Sequence, residues 1–329
     1  MFVMTEFARN NQAKDGLNIK RNLFSLRTLI GFILAAAIIY IFLRKFDIRS
    51  AADSLAKANV GYLLLAFAVY YLSLPFRGDR WGRLLAPTGY KIETPPLTHY
   101  YFLAWFVNAL LPARIGDLYR GYLLKKNRQV PLSLSLGTIF SERVFDLVIT
   151  AALMVLSGAY FWSVLKGGRE ANYLAWALVG IAAIALIFTL TIHFLPAIAA
   201  RLPEKWRIKF ELFHAGLFRS PSLLPIIIFM TLVIWLSEAL RLYLVFQAFG
   251  IKAGILVALF ISQASLILMS IPMSPAGLGL VELLMLKILT TINLTPSLAG
   301  AVTIADRMIS YWSLLLLGGV VYLLSPRTR

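Results

Sequence analysis

Cysteine is absent from this chain of 329 residues, which excludes disulfides, cysteine metal sites and thiol nucleophiles. Charge is scarce too: 14% of the residues are charged, against about 25% in a soluble globular protein. Acids are the scarcest, with 15 Asp and Glu against 32 Lys and Arg. In a chain that is 60% hydrophobic, this basic excess indicates loops that fix topology and touch anionic lipid heads, rather than nucleic-acid binding.

Three further patterns are missing. The period-two alternation of strands is absent, so helices rather than a barrel must satisfy the backbone inside a membrane. His99, His193 and His214 are scattered and predict no metal site. The phosphate-binding pattern GxxxxGK[ST] does not occur, so no ATP site is expected. The sequence therefore predicts neither a metal nor another cofactor.

Long apolar runs predict an all-α polytopic membrane protein of about eight helical elements. Residues 1–22 form a polar, basic tail, and residues 23–324 form a single transmembrane domain. The first run is too long for a secretory signal, and no small-residue cleavage site follows it. Polar stretches at 44–59 and 197–219 are predicted as helices on the membrane surface. The expected spans are residues 23–43, 61–76, 137–162, 173–195, 222–249 and 296–324.

A pentapeptide repeats inside these apolar stretches, as PARIG ending at Gly116 and PAGLG ending at Gly279. An acid-arginine pair follows each: Glu142-Arg143 begins 26 residues after the first motif, and Asp306-Arg307 begins 27 residues after the second. Arginines also precede the motifs at similar distances, each closing an apolar span: Arg80 and Arg241. This common register predicts an internal duplication of residues 60–162 and 222–324.

The pentapeptides predict two broken helices. In each, a proline ends one half-helix and a glycine lets the next begin sharply. The freed N–H groups must face a cavity or a ligand, and such an N-terminus favours anions. Asp117 can cap the first new half-helix, and Arg114 and Arg120 lie beside it, whereas the second has no cation near it in the sequence. The alternative is that the glycines merely allow close helix packing. The break residues are Pro112, Gly116, Pro275, Gly277 and Gly279.

Charge asymmetry predicts the orientation. The basic tail places the N-terminus in the cytoplasm, in a multi-pass protein of the cell membrane. If each broken segment is a re-entrant hairpin, the two units are inverted, as in transporters that build a site near the midplane. The rival topology has both broken segments crossing fully, which gives about ten spans.

Charged residues inside apolar segments cost on the order of 2.5–3.5 kcal/mol each, so several of them together need a reason. One interpretation is internal pairing that holds the helices together. The other is a polar cavity that handles a charged headgroup, with arginines binding phosphate. The candidate substrate-binding residues are Asn108, Arg114, Asp117, Arg120, Glu142, Arg143, Asp146, Glu282 and Arg307.

The motifs NALLPARIGDLYRGYLL, SERVFDL, SPAGLGLVE and ADR, followed by a last apolar helix, resemble the lysylphosphatidylglycerol synthase transmembrane-region family. The resemblance covers about residues 25–324 and implies a flippase-like membrane domain. Ala276 departs from the Pro-Gly-Gly-Leu-Gly form that the family often has. The family's aminoacyl-transferase domain is missing, so lysine transfer to lipid is not expected of this chain alone.

Three functions follow as expectations. The first is a lipid translocase that moves a phospholipid or lipid-linked headgroup through a polar cavity between inverted repeats. The second is a membrane enzyme that transfers a sugar or another group to lipid, with Asp117, Glu142 and Asp146 as acid or base. The third is a non-catalytic membrane partner of a synthase, docked through 197–219 and the basic end of the chain. The expected partners are a lipid substrate, the membrane, and either a further copy of the chain or a synthase, without nucleic acid.

Overall fold

The computed structural model describes residues 26–111, 114–164, 179–180, 183, 203–217, 221–270 and 274–326. Every regular element within these residues is helical, which confirms the all-α prediction. Four of the described helices are long and apolar enough to cross a membrane. The span predicted at 173–195 lies almost wholly outside the described residues.

Two helices precede the first unit. Helix α1 (Leu26–Leu43) is apolar, and the short α2 (Ile48–Ala56) follows it after one turn. Asp47 caps α2, because its carboxylate accepts hydrogen bonds from the backbone N–H groups of Arg49 and Ser50. The helix predicted in the polar stretch 44–59 is therefore present, and it packs against a helix of the second unit.

The first unit contains four helices in the order long, short, short, long. They are α3 (Val60–Leu85), α4 (Thr94–Leu110), α5 (Ile115–Arg128) and α6 (Leu132–Val164). Asn59 caps α3 by accepting a hydrogen bond from the Gly61 amide at 2.9 Å. Pro95 and Pro96 fit the first turn of α4, where the backbone N–H groups have no helical partner.

A connecting helix, α7 (Glu204–Ala215), packs against α6. Gly137 of α6 allows this approach, because a Cβ atom there would collide with the carbonyl oxygen of Phe213. The predicted amphipathic stretch 197–219 thus contains a shorter helix that is tied to the bundle.

The second unit repeats the order of the first. Its last two helices join through a π-helical turn at Met308–Trp312 into one span, Pro296–Leu324. The helices are α8 (Leu224–Ala248), α9 (Ile255–Ser270), α10 (Leu280–Thr291), α11 (Pro296–Arg307) and α12 (Ser313–Leu324).

The lengths also correspond. The first unit has helices of 26, 17, 14 and 33 residues. The second has helices of 25, 16 and 12 residues and a last span of 29. More elements are present than the eight expected, because each unit contains two short helices as well as two long ones.

The units pack reciprocally. Helix α3 packs against its counterpart α8. The second helix of the first unit, α4, packs against α12, and the second helix of the second unit, α9, packs against α6. The largest cluster of buried apolar side chains therefore spans both units, with Tyr70 and Met154 from one and Val245 and Leu289 from the other. A second buried cluster, which includes Trp81, Tyr100 and Leu123, lies within the first unit.

The sequence suggested that Arg80 and Arg241 each lie at the end of an apolar span. In the structure, neither arginine is the last residue of its helix. Helix α3 continues to Leu85, and α8 continues to Ala248. Both arginines are buried within helices because carboxylates of neighbouring helices bind them.

Candidate functional site between the two units

The first break lies between α4 and α5. Helix α4 ends in the extended residue Leu111, and Arg114 then adopts a left-handed conformation with φ 53° and ψ 38°. Helix α5 starts at the next residue. The sequence suggested Asp117 as its cap, but Asn108 fills this role, because its Oδ1 accepts a hydrogen bond from the Gly116 amide at 2.7 Å. Pro112 lies outside the described residues.

Gly116 also lets α5 approach α4 closely. A Cβ atom at this position would collide with the carbonyl oxygen of Ala104 and lie 2.7 Å from Oδ1 of Asn108. The close-packing interpretation of this glycine is therefore supported at the same position as the helix break.

The second break lies between α9 and α10, in a short 3₁₀ turn at Pro275–Gly277. Ala276, Gly277 and Gly279 all have positive φ angles, of 45°, 67° and 88°. Glu282 caps the N-terminus of the new helix, because its Oε2 accepts a hydrogen bond from the Gly279 amide at 2.7 Å. Both predicted breaks are thus irregular backbone beside a helix start.

The two breaks share a backbone feature. The third residue of each pentapeptide, Arg114 or Gly277, is in the left-handed region. Glycine adopts this conformation freely, whereas any other residue pays roughly 1–2 kcal/mol for it. Arg114 and Ala276 therefore carry strain that the surrounding contacts must hold, a condition that is common at binding sites.

Ion pairs hold the first unit together in a closed ring. Asp117 binds Arg120 and Arg143, each at 3.2 Å, and Arg143 binds Asp146 at 3.0 Å. Asp146 binds Arg80 at 2.7 Å. Glu142 lies near both Arg80 and Arg120 and so completes the ring. The Arg80–Glu142 distance is 3.4 Å, and the Arg120–Glu142 distance is 2.6 Å, without the alignment of a hydrogen bond.

A chain of ion pairs joins the units. Arg77 of α3 binds Glu238 of α8 at 2.9 Å, and Glu238 also binds Arg241 at 3.2 Å. Arg241 in turn binds Asp306 of α11. Its neighbour Arg307 binds Glu282 at 2.7 Å and approaches the Ala276 carbonyl oxygen at 3.5 Å. A cation therefore does lie beside the second break, supplied by a helix that is remote in sequence.

A cavity of about 150 Å³ lies where the two units meet. It has room for on the order of ten water molecules. Every helix from α3 to α12 except α5 and α7 contributes to its wall, and both breaks reach it through Arg114 and Ala276. Five arginines line it: Arg77, Arg114, Arg143, Arg241 and Arg307.

The cavity wall contains polar groups that other residues leave unpaired. The buried hydroxyl groups of Ser265, Ser274 and Ser310 have no hydrogen-bond partner within the described part of the chain. An unpaired buried polar group costs about 1–3 kcal/mol, so these hydroxyls favour water or a polar ligand in the cavity.

Arg77 is held by aromatic rings as well as by Glu238. Its guanidinium carbon lies 4.6 Å from the ring centre of Trp105 and 5.0 Å from that of Trp235. Cation–π contacts of this kind attract a guanidinium to the ring faces, and they strengthen when the cation is shielded from water. The two tryptophans, which come from different units, thus position one cation at the cavity wall.

The predicted binding residues fall into two groups. Asn108, Arg114, Arg143 and Arg307 line the cavity. The others lie behind it as ion-pair partners: Asp117, Arg120, Glu142, Asp146 and Glu282. Both interpretations of the charged residues therefore have a structural counterpart, since the same network pairs helices and places five arginines on the wall of a cavity.

Sequence reasoning missed several cavity residues. Arg77 lies three residues before Arg80 in an apolar helix, so its charge was a usable signal. Trp105, Trp235 and the three unpaired serines carry no charge and occur in a sequence rich in such residues, so nothing singled them out. Among the described residues, no cluster of three or more acids and histidines is arranged to hold a metal ion.

The chain belongs to the lysylphosphatidylglycerol synthase TM region family, whose sequence model matches residues 28–318. The prediction of this family from the sequence motifs is thereby confirmed. A UPF0104 membrane protein of Methanocaldococcus jannaschii is 36% identical over 227 residues, which cover 68% of this chain and 95% of that relative. A UPF0104 membrane protein of Pyrococcus horikoshii is 23% identical over 88% of this chain and 95% of the relative. The chain is therefore a multi-pass membrane protein.

One relative has an enzyme name. The protein called Glycosyltransferase AglD, from Haloferax volcanii, is 23% identical over 355 residues. The match covers 93% of this chain but 55% of that relative, so a large part of the relative has no counterpart here.

Proposed function

We propose that this protein is a lipid translocase. A phospholipid headgroup, or the headgroup of a lipid-linked substrate, would pass through the cavity between the units while its acyl or isoprenoid tails stay in the bilayer. The observation that carries this proposal is the convergence of both helix breaks and five arginines on one cavity between the units.

The arginines suit a phosphate headgroup. A guanidinium presents donors in a planar fork that matches two phosphate oxygens. Arg114 belongs to the first break, and its Nη2 donates a hydrogen bond to Ser270, at the end of α9, at 2.7 Å. The two broken segments therefore meet through a residue that could release its hydroxyl partner for a phosphate oxygen.

The arrangement of the units suits alternating access. The reciprocal packing of α4 on α12 and of α9 on α6 is the pattern that an inverted repeat with a pseudo-two-fold axis would produce. In such transporters, one unit rocks against the other around a fixed site. We propose the same motion here, with the re-entrant topology, the N-terminus in the cytoplasm and the cell membrane as the location.

The test is reconstitution in liposomes that contain fluorescent phospholipids, with bleaching by a membrane-impermeant reductant as the readout of exchange between leaflets. Exchange should be faster than in protein-free vesicles, and Arg143→Gln should slow it. Arg83→Gln, in an exposed pair with Asp79, is the matched control and should leave it unchanged. Equal rates with and without protein, across several lipid classes, would refute the proposal.

The Haloferax relative's name supports a second candidate, a transferase that modifies lipid. The carboxylates at or behind the cavity argue against it, because an arginine binds each one, including Asp117, Glu142 and Asp146. A general base must be free to take a proton. Incubation with nucleotide sugars, lipid extract and Mg²⁺ would yield a new lipid product if this candidate were right.

A further inference from the structure

The ionised side chains around the cavity form one finite network. It starts with the charged residues of the cavity wall and adds every oppositely charged side chain within 4 Å of them. The partners of those side chains are added in turn, until no further ion pair is found among the described residues. Its carboxylates are Asp117, Glu142, Asp146, Glu238, Glu282 and Asp306. Its arginines are Arg77, Arg80, Arg114, Arg120, Arg143, Arg241 and Arg307. Seven arginines face six carboxylates, which leaves a formal charge of +1.

The unmatched charge is on Arg114. Each of the other six arginines has a carboxylate oxygen within 4 Å, whereas Arg114 has none among the described residues. Its guanidinium donates to the neutral Ser270 hydroxyl instead. It is also the arginine that sits in a strained left-handed conformation at the tip of the first break. Within the described part of the chain, the site therefore offers one cation that has no carboxylate within 4 Å, held in place by the backbone.

A single unpaired charge inside a membrane protein restricts the net charge of the ligands that can bind there. The few water molecules that fit the cavity screen a charge less than bulk water does, so a ligand is favoured when it brings the total charge to zero. A monoanion does so. A dianion leaves one negative charge without a partner, and a zwitterion leaves the positive charge in place and adds its own cation beside five arginines.

From this balance we infer that the cavity selects a phosphodiester headgroup that carries one negative charge and no other ionised group. The phosphate would bind at Arg114, in place of the Ser270 hydroxyl. The unpaired hydroxyls of Ser265, Ser274 and Ser310 would bind hydroxyl groups of the headgroup, as in a glycerol or a sugar. This inference rests on the proposed translocase function and specifies its substrate class.

The first test measures binding. The purified protein in detergent is titrated at pH 8.5 with short-chain phosphatidylglycerol, phosphatidic acid and phosphatidylcholine, and ligand-induced thermal stabilisation is recorded. These probes are a phosphodiester monoanion, a phosphomonoester near two negative charges, and a zwitterion. Phosphatidylglycerol should bind at least tenfold more tightly than either of the others. Equal affinity for phosphatidic acid or for phosphatidylcholine would overturn the inference.

The second test changes the charge count. Arg114→Gln should abolish the preference for phosphatidylglycerol over phosphatidylcholine, and it removes no ion pair, so the fold should persist. Glu238→Gln should shift the preference toward phosphatidic acid, because it raises the formal charge to +2. Glu211→Gln, on an exposed side chain of α7, is the matched control and should change nothing. If Glu238→Gln does not fold, the Arg114→Gln series decides alone: an unchanged preference would refute the inference.

Leaflet exchange of the same three lipids separates the two proposals. Exchange that is equally fast for all three lipids would leave the translocase standing and refute the charge selection. Selective binding of phosphatidylglycerol without any exchange would support the charge selection and refute the translocase.

Discussion

Arg307 Nε lies 2.7 Å from Glu282 Oε1, so the arginine of the second acid-arginine pair is bound to the first turn of the half-helix after the second break. Arg143 makes the equivalent contact with Asp117 after the first break, at 3.2 Å. The adjacent acids also correspond: Glu142 binds Arg80, and Asp306 binds Arg241. The charged motifs thus make similar contacts in both units, in keeping with their common spacing in the sequence.

Breaking the Arg307–Glu282 pair should destabilise the protein strongly. Arg307→Gln leaves a buried carboxylate without its cation, which costs about 3–5 kcal/mol, whereas the double variant with Glu282→Gln should recover part of this loss. Thermal unfolding in detergent measures both. Arg83→Gln, which removes an exposed pair, should cost less than about 1 kcal/mol. A single variant as stable as the wild type would contradict the structural role of this pair.

Ala276→Gly should stabilise the protein by roughly 0.5–1 kcal/mol. The φ angle of Ala276 is 45°, a conformation that glycine adopts without the steric cost of a Cβ atom. The same exchange in the exposed middle of helix α2, Ala52→Gly, should instead destabilise by about 1 kcal/mol. Melting temperatures of the two variants should therefore move in opposite directions, and a loss of stability in both would count against the backbone geometry of the second break.

Gly116→Ala should prevent correct packing of α5 against α4. The added methyl group would collide with the Ala104 carbonyl oxygen, and backbone atoms cannot rotate away as a side chain can. We expect a loss of about 3 kcal/mol or more, seen as low yield of folded protein and a lowered melting temperature. Gly254→Ala is the control, since nothing lies within 4 Å of a Cβ atom there. Similar melting temperatures for both variants would refute the close approach.

The absence of cysteine makes the cavity easy to probe. Ser265→Cys and Ser310→Cys, on the cavity wall, should react with a charged, water-soluble thiol reagent when the cavity opens to water. Ser157→Cys is the control, because Ser157 is fully buried and donates to the Leu153 carbonyl oxygen. Reaction rates are followed by mass spectrometry of vesicles with reagent on one side. Cavity positions that react no faster than position 157 would exclude a wet cavity.

The sequence predicted the elements that depend on strong local signals. Apolar length identified the helices, and proline with glycine located both breaks. Glu142 and Asp306, which have nearly the same spacing from these breaks, each pair with an arginine of the first long helix of their unit. Signals of this kind can be read from the sequence because insertion into a bilayer depends on each segment's own composition.

The parts that sequence reasoning missed depend on which helices meet. The sequence suggested Asp117 as the cap of α5, but Asn108 of the preceding helix takes this role. Arg307 reaches the second break from a helix that begins after it. Trp105 and Trp235 come together around Arg77 only because α3 and α8 pack against each other. Such contacts arise from tertiary packing, which composition and periodicity do not encode.

The reciprocal packing has a consequence for biosynthesis. Arg77 emerges from the ribosome 161 residues before Glu238, its carboxylate partner. Similarly, α4 must wait for α12, the last described helix of the chain. During translation, the first half therefore contains an arginine without its carboxylate and a helix without its neighbour until the second half has been made.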